Sequence, residues 1–518
     1  MPAKKDLRLL ALDGNDTVGG TKYLVQADGV SWMLDFGTNY HKLSRYYQEF
    51  LVPRANQGIL DLVVMGILPD ARGLYRDDVM IPDLQLQGPE VGGIDAVLIT
   101  HAHMDHAGAV GLLRPEVPVV ASALTAATLK AMQDCGSGDW GMLYSDSHEV
   151  SDSRGSPLLV TTDPKVQRDL IVTDGGWSKS FEEFWRASPW KTKQLEGGEL
   201  RKDPSALRCR ALPVDHSVKG ATAFVLDTPQ GPLIYPGDIR MHGLRAQDTR
   251  DFLEAARSPR PYALFMEGTN IAKGEEEMTT EEDVRRNVQG LLSSMTGAFV
   301  IADFGARNIE RLEIFASAAW EHGRRLVVTP KDAYLLHAMH TADPTVPVPG
   351  DRLCVFDTPS AGKGVVEEFV FEEFEDVAVK AATIRQSPGD YLMALSFWDM
   401  KHLVSLRPEG GHYLYSSSEA FTEEQEIDFR RLKEWQDKFG IRRHGLEFDA
   451  EGHPHVPKGP KGLHASGHAP AADLDRIVRT LNPEVIVPLH TDHPEAFKER
   501  FGRGFDIVLP FTSRWAEL

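Results

Sequence analysis

Four side chains of the kinds that bind metal ions fall within six consecutive positions. The stretch HAHMDH, residues 101–106, directly follows the apolar run IDAVLIT. In extended backbone, residues two apart point to the same side, so His101 and His103 can bind one ion together. Asp105 and His106 stand a short turn further on and can reach a second ion beside the first. Imidazole and carboxylate ligands without thiolate favour Zn²⁺ or Mn²⁺ that activates water.

Four ligands do not complete two metal sites, so the sequence predicts further ligands at the ends of other strands. His216, Asp238 and His490 each stand where an apolar run stops. Asp238 is the candidate bridging carboxylate, because an anion between two cations offsets their repulsion and helps to hold a hydroxide. Taken singly, each residue is weak evidence, because a His or Asp at the end of a strand is more often an ordinary turn or surface group, whereas together they supply the missing ligands.

The pattern of apolar residues indicates which elements position these side chains. Residues 21–28 and 30–37 predict an antiparallel hairpin, and residues 94–100 predict a strand buried on both faces. Strands are also predicted within 207–270, each ending in polar residues, and the tail predicts a helix over 471–481 and strands over 484–490 and 505–511. Between 273 and 455, strands alternate with helices, which predicts a parallel α/β domain. Residues 135–205 have weak periodicity and are interpreted as an elaboration of the first domain.

Composition narrows the class of protein. A chain of 518 residues is too long for one core, and typical domain sizes predict two to four units. The cysteines form no CxxC pair, so neither a disulfide framework nor a thiolate zinc site is indicated; they are Cys135, Cys209 and Cys354. The N-terminus does not resemble a secretory signal, and no apolar run approaches the roughly 20 residues that span a bilayer. We therefore expect a cytoplasmic protein that does not enter a membrane.

The net charge constrains the partners. At −20, the chain cannot coat nucleic acid through a generally basic surface. Any contact with nucleic acid must therefore be local, through metal ions or a basic patch.

The ordered motifs resemble those of the metallo-β-lactamase superfamily. The resemblance rests on HAHMDH, on Asp35 in MLDFG, and on His216 and Asp238, in that order. Glu267 in FMEGTN, the histidines of HASGHA at 464–469, and His490 are similar to the additional motifs of the β-CASP nucleases, among which RNase J is most similar. The resemblance implies an α/β fold: a metallo-β-lactamase αββα sandwich of residues 1–272 and 456–518, with a β-CASP domain inserted at 273–455 and the active site in the cleft between them.

The resemblance also implies a role for each residue. Two divalent ions, Zn or Mn, are expected, and the implied ligands are His101, His103 and His216 for one ion, Asp105, His106 and His490 for the other, and Asp238 as the bridge. Asp35 is expected to fix the orientation of the ligands. His468 is expected to act near the scissile phosphate, with Glu267 orienting it. His464 and Ser466 resemble a phosphate clamp, and Ser416 and Ser417 are further candidates for which a plain turn is the alternative.

The function implied is a metal-dependent nuclease that hydrolyses phosphodiester bonds of single-stranded RNA, as an exo- and/or endoribonuclease. One alternative is a β-CASP nuclease that acts on single-stranded DNA. A second is a metallo-hydrolase of a small ester or thioester, and a third is a non-enzymatic RNA-binding protein, which the seven filled ligand positions disfavour.

The sequence departs from the RNase J pattern at three places. Thr491 and Asp492 follow His490 where the family usually has Gly and Glu, and Gly268 follows Glu267 where serine is common. Only 28 residues follow His490. We therefore expect no room for the additional C-terminal domain through which RNase J associates, so a homodimer is possible but the family's mode of dimerisation is not implied.

Overall fold

The computed structural model describes residues 7–136, 140–153, 156–189, 195–273, 278–358, 363–418 and 423–518. The chain divides into two compact units. The first comprises Met1–Met241, Arg245–Gly274 and His468–Leu518, and the second comprises His242–Leu244 and Glu275–Gly467. The sequence placed the last boundary at 455, whereas in the structure residues 456–467 group with the second unit.

Two large sheets form the first unit. The strands of the eight-stranded sheet are, in spatial order, Leu200–Lys202, Leu170–Val172, Val119–Ala121, Ala96–Leu98, Val30–Leu34, Lys22–Ala27, Leu7–Asp13 and Trp515–Glu517. Those of the six-stranded sheet are Cys209–Pro213, Thr222–Thr228, Gly231–Tyr235, Ala263–Glu267, Val485–Leu489 and Asp506–Ile507. A smaller sheet consists of Tyr144–Ser153, Ser156–Gln167 and Leu195–Gly197.

The two large sheets pack face to face. Trp32 and Leu98 of the first sheet share a buried cluster with Phe224, Phe265 and Val487 of the second. The opposite face of the second sheet packs against three helices, Ala246–Ala256, Ala471–Leu481 and Glu495–Phe501. The other helices of this unit are Tyr40–Ser44, Leu60–Val64, Met104–Ala107, Ala123–Asp134 and Lys179–Arg186, with 3-10 turns at Ala55–Gln57, Asp77–Val79, Val110–Leu112 and Pro204–Leu207. This is the predicted sandwich of two sheets with helices outside it.

The second unit contains a seven-stranded sheet in which every pairing is parallel. Its strands are, in spatial order, Ala378–Lys380, Leu353–Asp357, Arg325–Val328, Tyr391–Ala394, Val300–Asp303, Gly411–Tyr415 and Ile441–His444. The α-helices are Glu281–Ser293, Ile309–Glu321, Pro330–Ala342, Val365–Glu373, Ala381–Gln386, Leu403–Leu406 and Glu423–Lys438. The unit also has 3-10 turns at Glu375–Val377, Pro388–Asp390, Phe397–His402 and Gly459–Lys461, and a pair of short strands, Glu447–Phe448 and Pro454–His455. The predicted parallel α/β domain is confirmed.

Most predicted elements of the first unit are present, with three differences. The hairpin is confirmed, because Lys22–Ala27 pairs antiparallel with Val30–Leu34. The strands Tyr144–Ser153 and Ser156–Gln167 pair antiparallel, which the weak periodicity of the sequence did not predict. The predicted strand at 505–511 is only Asp506–Ile507, and the terminal strand Trp515–Glu517 was not predicted. None of the helices in the described residues is both long and apolar enough to cross a bilayer.

Candidate metal centre

The candidate ligands all follow strands of the first unit. His101 and His103 come after Ala96–Leu98, and the short helix Met104–Ala107 carries Asp105 and His106. The six-stranded sheet contributes the others, since Cys209–Pro213 precedes His216, Gly231–Tyr235 precedes Asp238 and Val485–Leu489 precedes His490. The facing sheets thus deliver residues that are nearly 400 positions apart in the sequence to one place.

The structure brings these side chains into overlapping groups whose ligand atoms lie within 4.8 Å of one another. The first group is His101, His103, His216 and Asp238; the second is Asp105, His106 and His490; the third is Asp238, His468 and His490. The first two groups contain the residues proposed from the sequence for the two ions, and their role as ligands stays a prediction. Asp238 belongs to the first and the third, so its carboxylate lies between the histidines of both sets.

Individual distances place Asp238 at the centre. Its Oδ2 lies 3.2 Å from His106 Nε2, 3.6 Å from His101 Nε2 and 3.8 Å from His216 Nε2. Its Oδ1 lies 3.8 Å from His490 Nδ1. Nitrogen and oxygen atoms at these separations surround positions that a divalent cation can occupy, since ligand distances near 2 Å put neighbouring ligand atoms about 3–4 Å apart.

Asp35 lies beneath the histidines and is buried. Its carboxylate accepts hydrogen bonds from Thr100 N and Thr100 Oγ1, both at 2.8 Å, and from the hydroxyl of Tyr235. Its Oδ2 also lies 2.6 Å from His106 Nδ1. This contact leaves His106 Nε2 directed toward Asp238, an arrangement typical of a carboxylate that holds a metal-binding histidine. That role of Asp35 stays a prediction.

The backbone of residues 104–106 is held by the loop that follows the first hairpin. Phe36 N donates to His106 O at 2.8 Å and Thr38 N donates to Met104 O at 2.9 Å. Between them, Gly37 is required by close approach, because a Cβ atom there would lie 1.6 Å from Asp105 O. The helix that carries Asp105 and His106 therefore has a fixed position against the eight-stranded sheet.

His468 and Glu267 stand beside the ligand groups. His468 Nδ1 lies 3.4 Å from Glu267 Oε1, 3.8 Å from Asp238 Oδ2 and 3.2 Å from Thr269 Oγ1. Glu267 is held in turn by Thr269 N, which donates to its Oε2 at 2.9 Å. Glu267 therefore contacts His468, and its role in orienting that ring stays a prediction.

The electrostatics favour bound cations. Burial lowers the pKa of His101 and of His490, so both imidazoles are neutral and able to bind a metal. Burial alone would raise the pKa of Asp238, but His106, His490 and His468 hold it well below its usual range. Burial opposes protonation of His468, yet Asp238 and Glu267 raise its pKa to about 9.

Buried polar atoms without partners mark the same place. Among the described residues, His106 Nε2, Asp238 Oδ1 and His490 Nε2 are buried and accept or donate no hydrogen bond. Burial of such atoms is costly unless another partner satisfies them. Because these three atoms belong to the candidate ligands, divalent cations fit the residues present.

The phosphate-binding candidates belong to the second unit and differ among themselves. Ser416 is buried, and its Oγ accepts from Arg311 and donates to Leu463 O. This engagement gives Ser416 a structural role instead of the predicted phosphate contact. Ser417, His464 and Ser466 are partly exposed, and Ser466 O lies 3.0 Å from His242 Nε2.

Sequence reasoning missed several residues that position the site. Tyr235 and Thr100 contact Asp35, and Thr269 contacts His468. Buried Lys22 and Asp13 form an ion pair of 3.1 Å under the loop 14–20. Thr100 directly precedes the motif HAHMDH, and Tyr235 begins the motif that contains Asp238. This position next to a candidate ligand is the feature of the sequence from which both could have been predicted.

Comparison with known proteins finds similarity to metallo-hydrolases over two parts of the chain. A family model for the metallo-beta-lactamase superfamily matches residues 66–177, and one for a Zn-dependent metallo-hydrolase RNA specificity domain matches residues 461–510. Ribonuclease J of Pyrococcus abyssi is 22% identical over 492 residues, which cover 93% of this chain and 89% of that protein. Ribonuclease J of Methanocaldococcus jannaschii is 20% identical over 94% of this chain and 91% of its own length.

Two further similarities differ in how much of each protein they cover. Ribonuclease J 2 of Streptococcus pyogenes is 22% identical over 63% of this chain, but only 46% of that longer protein is covered. A crystal structure of a protein of unknown function from Enterococcus faecalis superposes with a TM-score of 0.66 at 20% identity, and covers 99% of this chain and 100% of that one. That similarity extends the shared fold to nearly the whole chain.

Proposed function

We propose that this chain, a β-CASP, RNase J-like hydrolase of the metallo-β-lactamase fold, is a metal-dependent ribonuclease. It would hydrolyse phosphodiester bonds of single-stranded RNA with two divalent ions, Zn or Mn. The observation that carries the proposal is the arrangement of six candidate ligands in two sets around the carboxylate of Asp238, with the catalytic candidate His468 beside them. Two bound ions would supply an activated hydroxide and neutralise charge on the scissile phosphate.

The protein's own residues complete the chemistry. Asp35 holds the His106 ring in the orientation that directs Nε2 toward Asp238. His468, held by Glu267 and Thr269, is placed to donate a proton to the departing ribose oxygen or to stabilise the charge that develops on the phosphate. Glu267 acts as a positioning residue, because its carboxylate contacts His468 and the backbone of Thr269.

The choice of RNA rests on the C-terminal match. The RNA specificity model covers residues 461–510, which include His464, Ser466, His468 and His490. We assign phosphate contacts to His464 and Ser466, and we keep Ser417 as a further candidate. The acidic net charge makes such local contacts necessary, since a generally basic surface is absent.

The test is digestion of matched single-stranded RNA and DNA, bearing a 5′-phosphate or a 5′-hydroxyl, with Zn²⁺ or Mn²⁺. We expect RNA to be cleaved, and we expect Asp238→Ala to abolish turnover. Hydrolysis of bis-p-nitrophenyl phosphate by both proteins reports the metal centre without RNA recognition. Preferential cleavage of DNA would show that the substrate is DNA and not RNA. Undiminished activity of Asp238→Ala would show that the candidate metal centre is not the active site.

A further inference from the structure

An exposed aromatic segment begins beside the candidate metal centre. The aromatic segment, residues 40–52, has the sequence YHKLSRYYQEFLV and lies in the first unit. Tyr40 is 50% exposed, Tyr46 46% and Phe50 88%. Leu51 and Val52, which follow Phe50, are also exposed. These large apolar side chains lie within 13 consecutive residues, and exposed apolar residues that lie close together mark an interaction site more often than singly scattered ones do.

The backbone holds these rings in place. Gln48 and Leu51 exchange two backbone hydrogen bonds, of 2.9 and 3.0 Å, which form a tight turn with Phe50 at its tip. Tyr46 N and the following amide both donate to Leu43 O. A rigid aromatic surface loses little conformational entropy when a ligand binds.

The aromatic segment is anchored to the residues that carry the ligands. Thr38 N donates to Met104 O, directly before the candidate ligands Asp105 and His106. Asn39 caps the helix Tyr40–Ser44 and donates to Asp13 Oδ1, to which Lys42 Nζ also donates at 2.8 Å. The helix of five residues spans about 7 Å, which is close to the length of one extended nucleotide. The exposed rings therefore start within a few nucleotides of the candidate metal centre.

The local charge differs from that of the whole chain. Lys42 of the aromatic segment is paired with Asp13, which leaves Arg45 against the single acidic residue Glu49, so the segment is close to neutral whereas the chain carries −20. Arg45 Nη2 contacts His41 Nε2 at 2.7 Å, and Arg45 forms no ion pair with a carboxylate of the described residues. Exposed aromatic rings beside a basic side chain are the combination that binds single-stranded nucleic acid, because bases stack on the rings and phosphates contact the cation.

We propose that the aromatic segment is a stacking surface for single-stranded RNA, which holds the part of the strand next to the bond that is cleaved. Tyr46 and Phe50 stack against bases, and Arg45 contacts the backbone phosphates. The proposal rests on the proposed ribonuclease function and names a surface through which that substrate is bound. The alternative occupant of an exposed aromatic surface, a second copy of this chain, is one outcome of the test.

The test compares Tyr46→Ala/Phe50→Ala with the conservative exchange Tyr46→Phe/Phe50→Tyr, which keeps both rings. Trp320→Ala is the matched control, because Trp320 is 45% exposed and lies on a helix of the second unit. Affinity for a fluorescent oligouridylate of about 20 nucleotides is measured by anisotropy in a His468→Ala background, in which cleavage is slowed and the candidate metal ligands remain. Hydrolysis of bis-p-nitrophenyl phosphate, measured in each variant without that background, checks that the metal centre is intact.

We expect the alanine pair to raise the Kd by at least about fivefold for each ring removed, while the conservative pair and Trp320→Ala leave it unchanged. Without the His468→Ala background, the KM for RNA rises and kcat is retained. An unchanged Kd in the alanine pair overturns the proposal. The proposal is also overturned if the alanine pair loses a dimer that the wild type forms in sedimentation velocity while its RNA affinity is unchanged. That result would show that the surface serves self-association. Failure of the wild-type protein to cleave RNA refutes the proposed function instead, because the binding measurement does not require turnover.

Discussion

At the scale of the residue, the candidate centre depends on where single atoms point. His468 differs from the ligand histidines because its ring is held by Glu267 and Thr269, whereas His106 is held by Asp35. It is also 21% exposed, while the side chains of His101 and His216 are fully buried. A partly exposed imidazole next to a closed set of ligands is suited to contact the substrate.

Replacement of His468 by alanine is therefore expected to slow the chemical step without removing the metal. We expect kcat on RNA to fall roughly 10²- to 10⁴-fold, the range for loss of a general acid or base, with bound metal unchanged. Steady-state kinetics and metal analysis measure the two quantities. The matched control is His493→Ala, since His493 is exposed and lies three residues after His490. Loss of metal from His468→Ala would show that His468 is a ligand.

The candidate ligands could be identified from the sequence, but the residues that hold them in position could not. His216, Asp238 and His490 stand after apolar runs, so a rule about strand ends finds them. The hydroxyl of Tyr235 contacts Asp35 across 200 positions of sequence, and Lys22 pairs with Asp13 in the core. Such contacts follow from how two sheets face each other, which no local pattern contains.

At the scale of the element, loops between strands set the positions of the ligands. Buried Asp13 accepts hydrogen bonds from Lys22, Lys42 and Asn39, and Lys22 also donates to Gly20 O at 3.0 Å. The loop so fixed donates from Gly20 N to Asp105 O at 3.0 Å, and Gly14 O accepts from His490 N at 2.7 Å. The ion pair under the loop thus supports ligands from two different strands.

Removal of Asp13 should disturb both stability and metal binding. In Asp13→Ala, Lys22 is left buried without its carboxylate, a change that typically costs about 3–5 kcal/mol. We expect a lower unfolding midpoint in denaturant and weaker metal binding, because the supports of Asp105 and His490 loosen. Glu183→Ala is the control, since it breaks the exposed pair with Lys179 and should change neither quantity. Metal binding by Asp13→Ala as tight as in the wild type would show that the ion pair does not support the candidate metal centre.

Asp303 is a buried carboxylic acid at the end of the strand Val300–Asp303. Burial raises the pKa of Asp303 to about 7, although the hydroxyl of Tyr413 donates to it. Between about pH 4 and 7 the folded state therefore holds a proton that the unfolded state has released, so stability falls as pH rises through this window and is constant above it. Asp303→Asn should remove that dependence.

The comparison is made by denaturant unfolding of both proteins at pH 5 and pH 8. We expect Asp303→Asn to be more stable than the wild type at pH 8, by an amount on the order of 2–4 kcal/mol, and to differ less at pH 5. The amide oxygen can still accept from Tyr413, so the hydrogen bond is retained. An equal difference at both pH values would mean that the ionisation of Asp303 is unimportant.

Elements were predictable where the side chains had a clear period. The parallel strands of the second unit and the first hairpin were found this way. The antiparallel strands Tyr144–Ser153 and Ser156–Gln167 were not, because they have polar residues on both faces and a register shift between Asp146 and Ser147 that breaks the alternation. Glu281 lies in the first turn of a helix, where acidic residues are usually exposed, yet its side chain is buried against Arg311 at 2.9 Å.

At the scale of the whole molecule, all seven candidate ligands belong to one of the two compact units. The first unit supplies every strand end of the candidate centre, and the second unit has its own hydrophobic core around Ile301, Val327 and Tyr413. The two units therefore contain independent sources of stability. Metal bound at the centre should stabilise the first unit directly, because ligand binding to the folded state adds to its free energy of unfolding.

Removal of metal with a chelator should accordingly weaken protection in the first unit. We expect faster amide hydrogen exchange at 100–108, 214–218, 236–239 and 488–491, where His106 Nε2, Asp238 Oδ1 and His490 Nε2 lose the partners that their burial calls for. The strands around Ile301 in the second unit should keep their protection, and they are the internal control. Saturating metal at 100 times its Kd adds about 2.7 kcal/mol, so restoring Zn²⁺ or Mn²⁺ should slow exchange again. Equal loss of protection in both units, or none at the four strand ends, would contradict a metal centre at these residues.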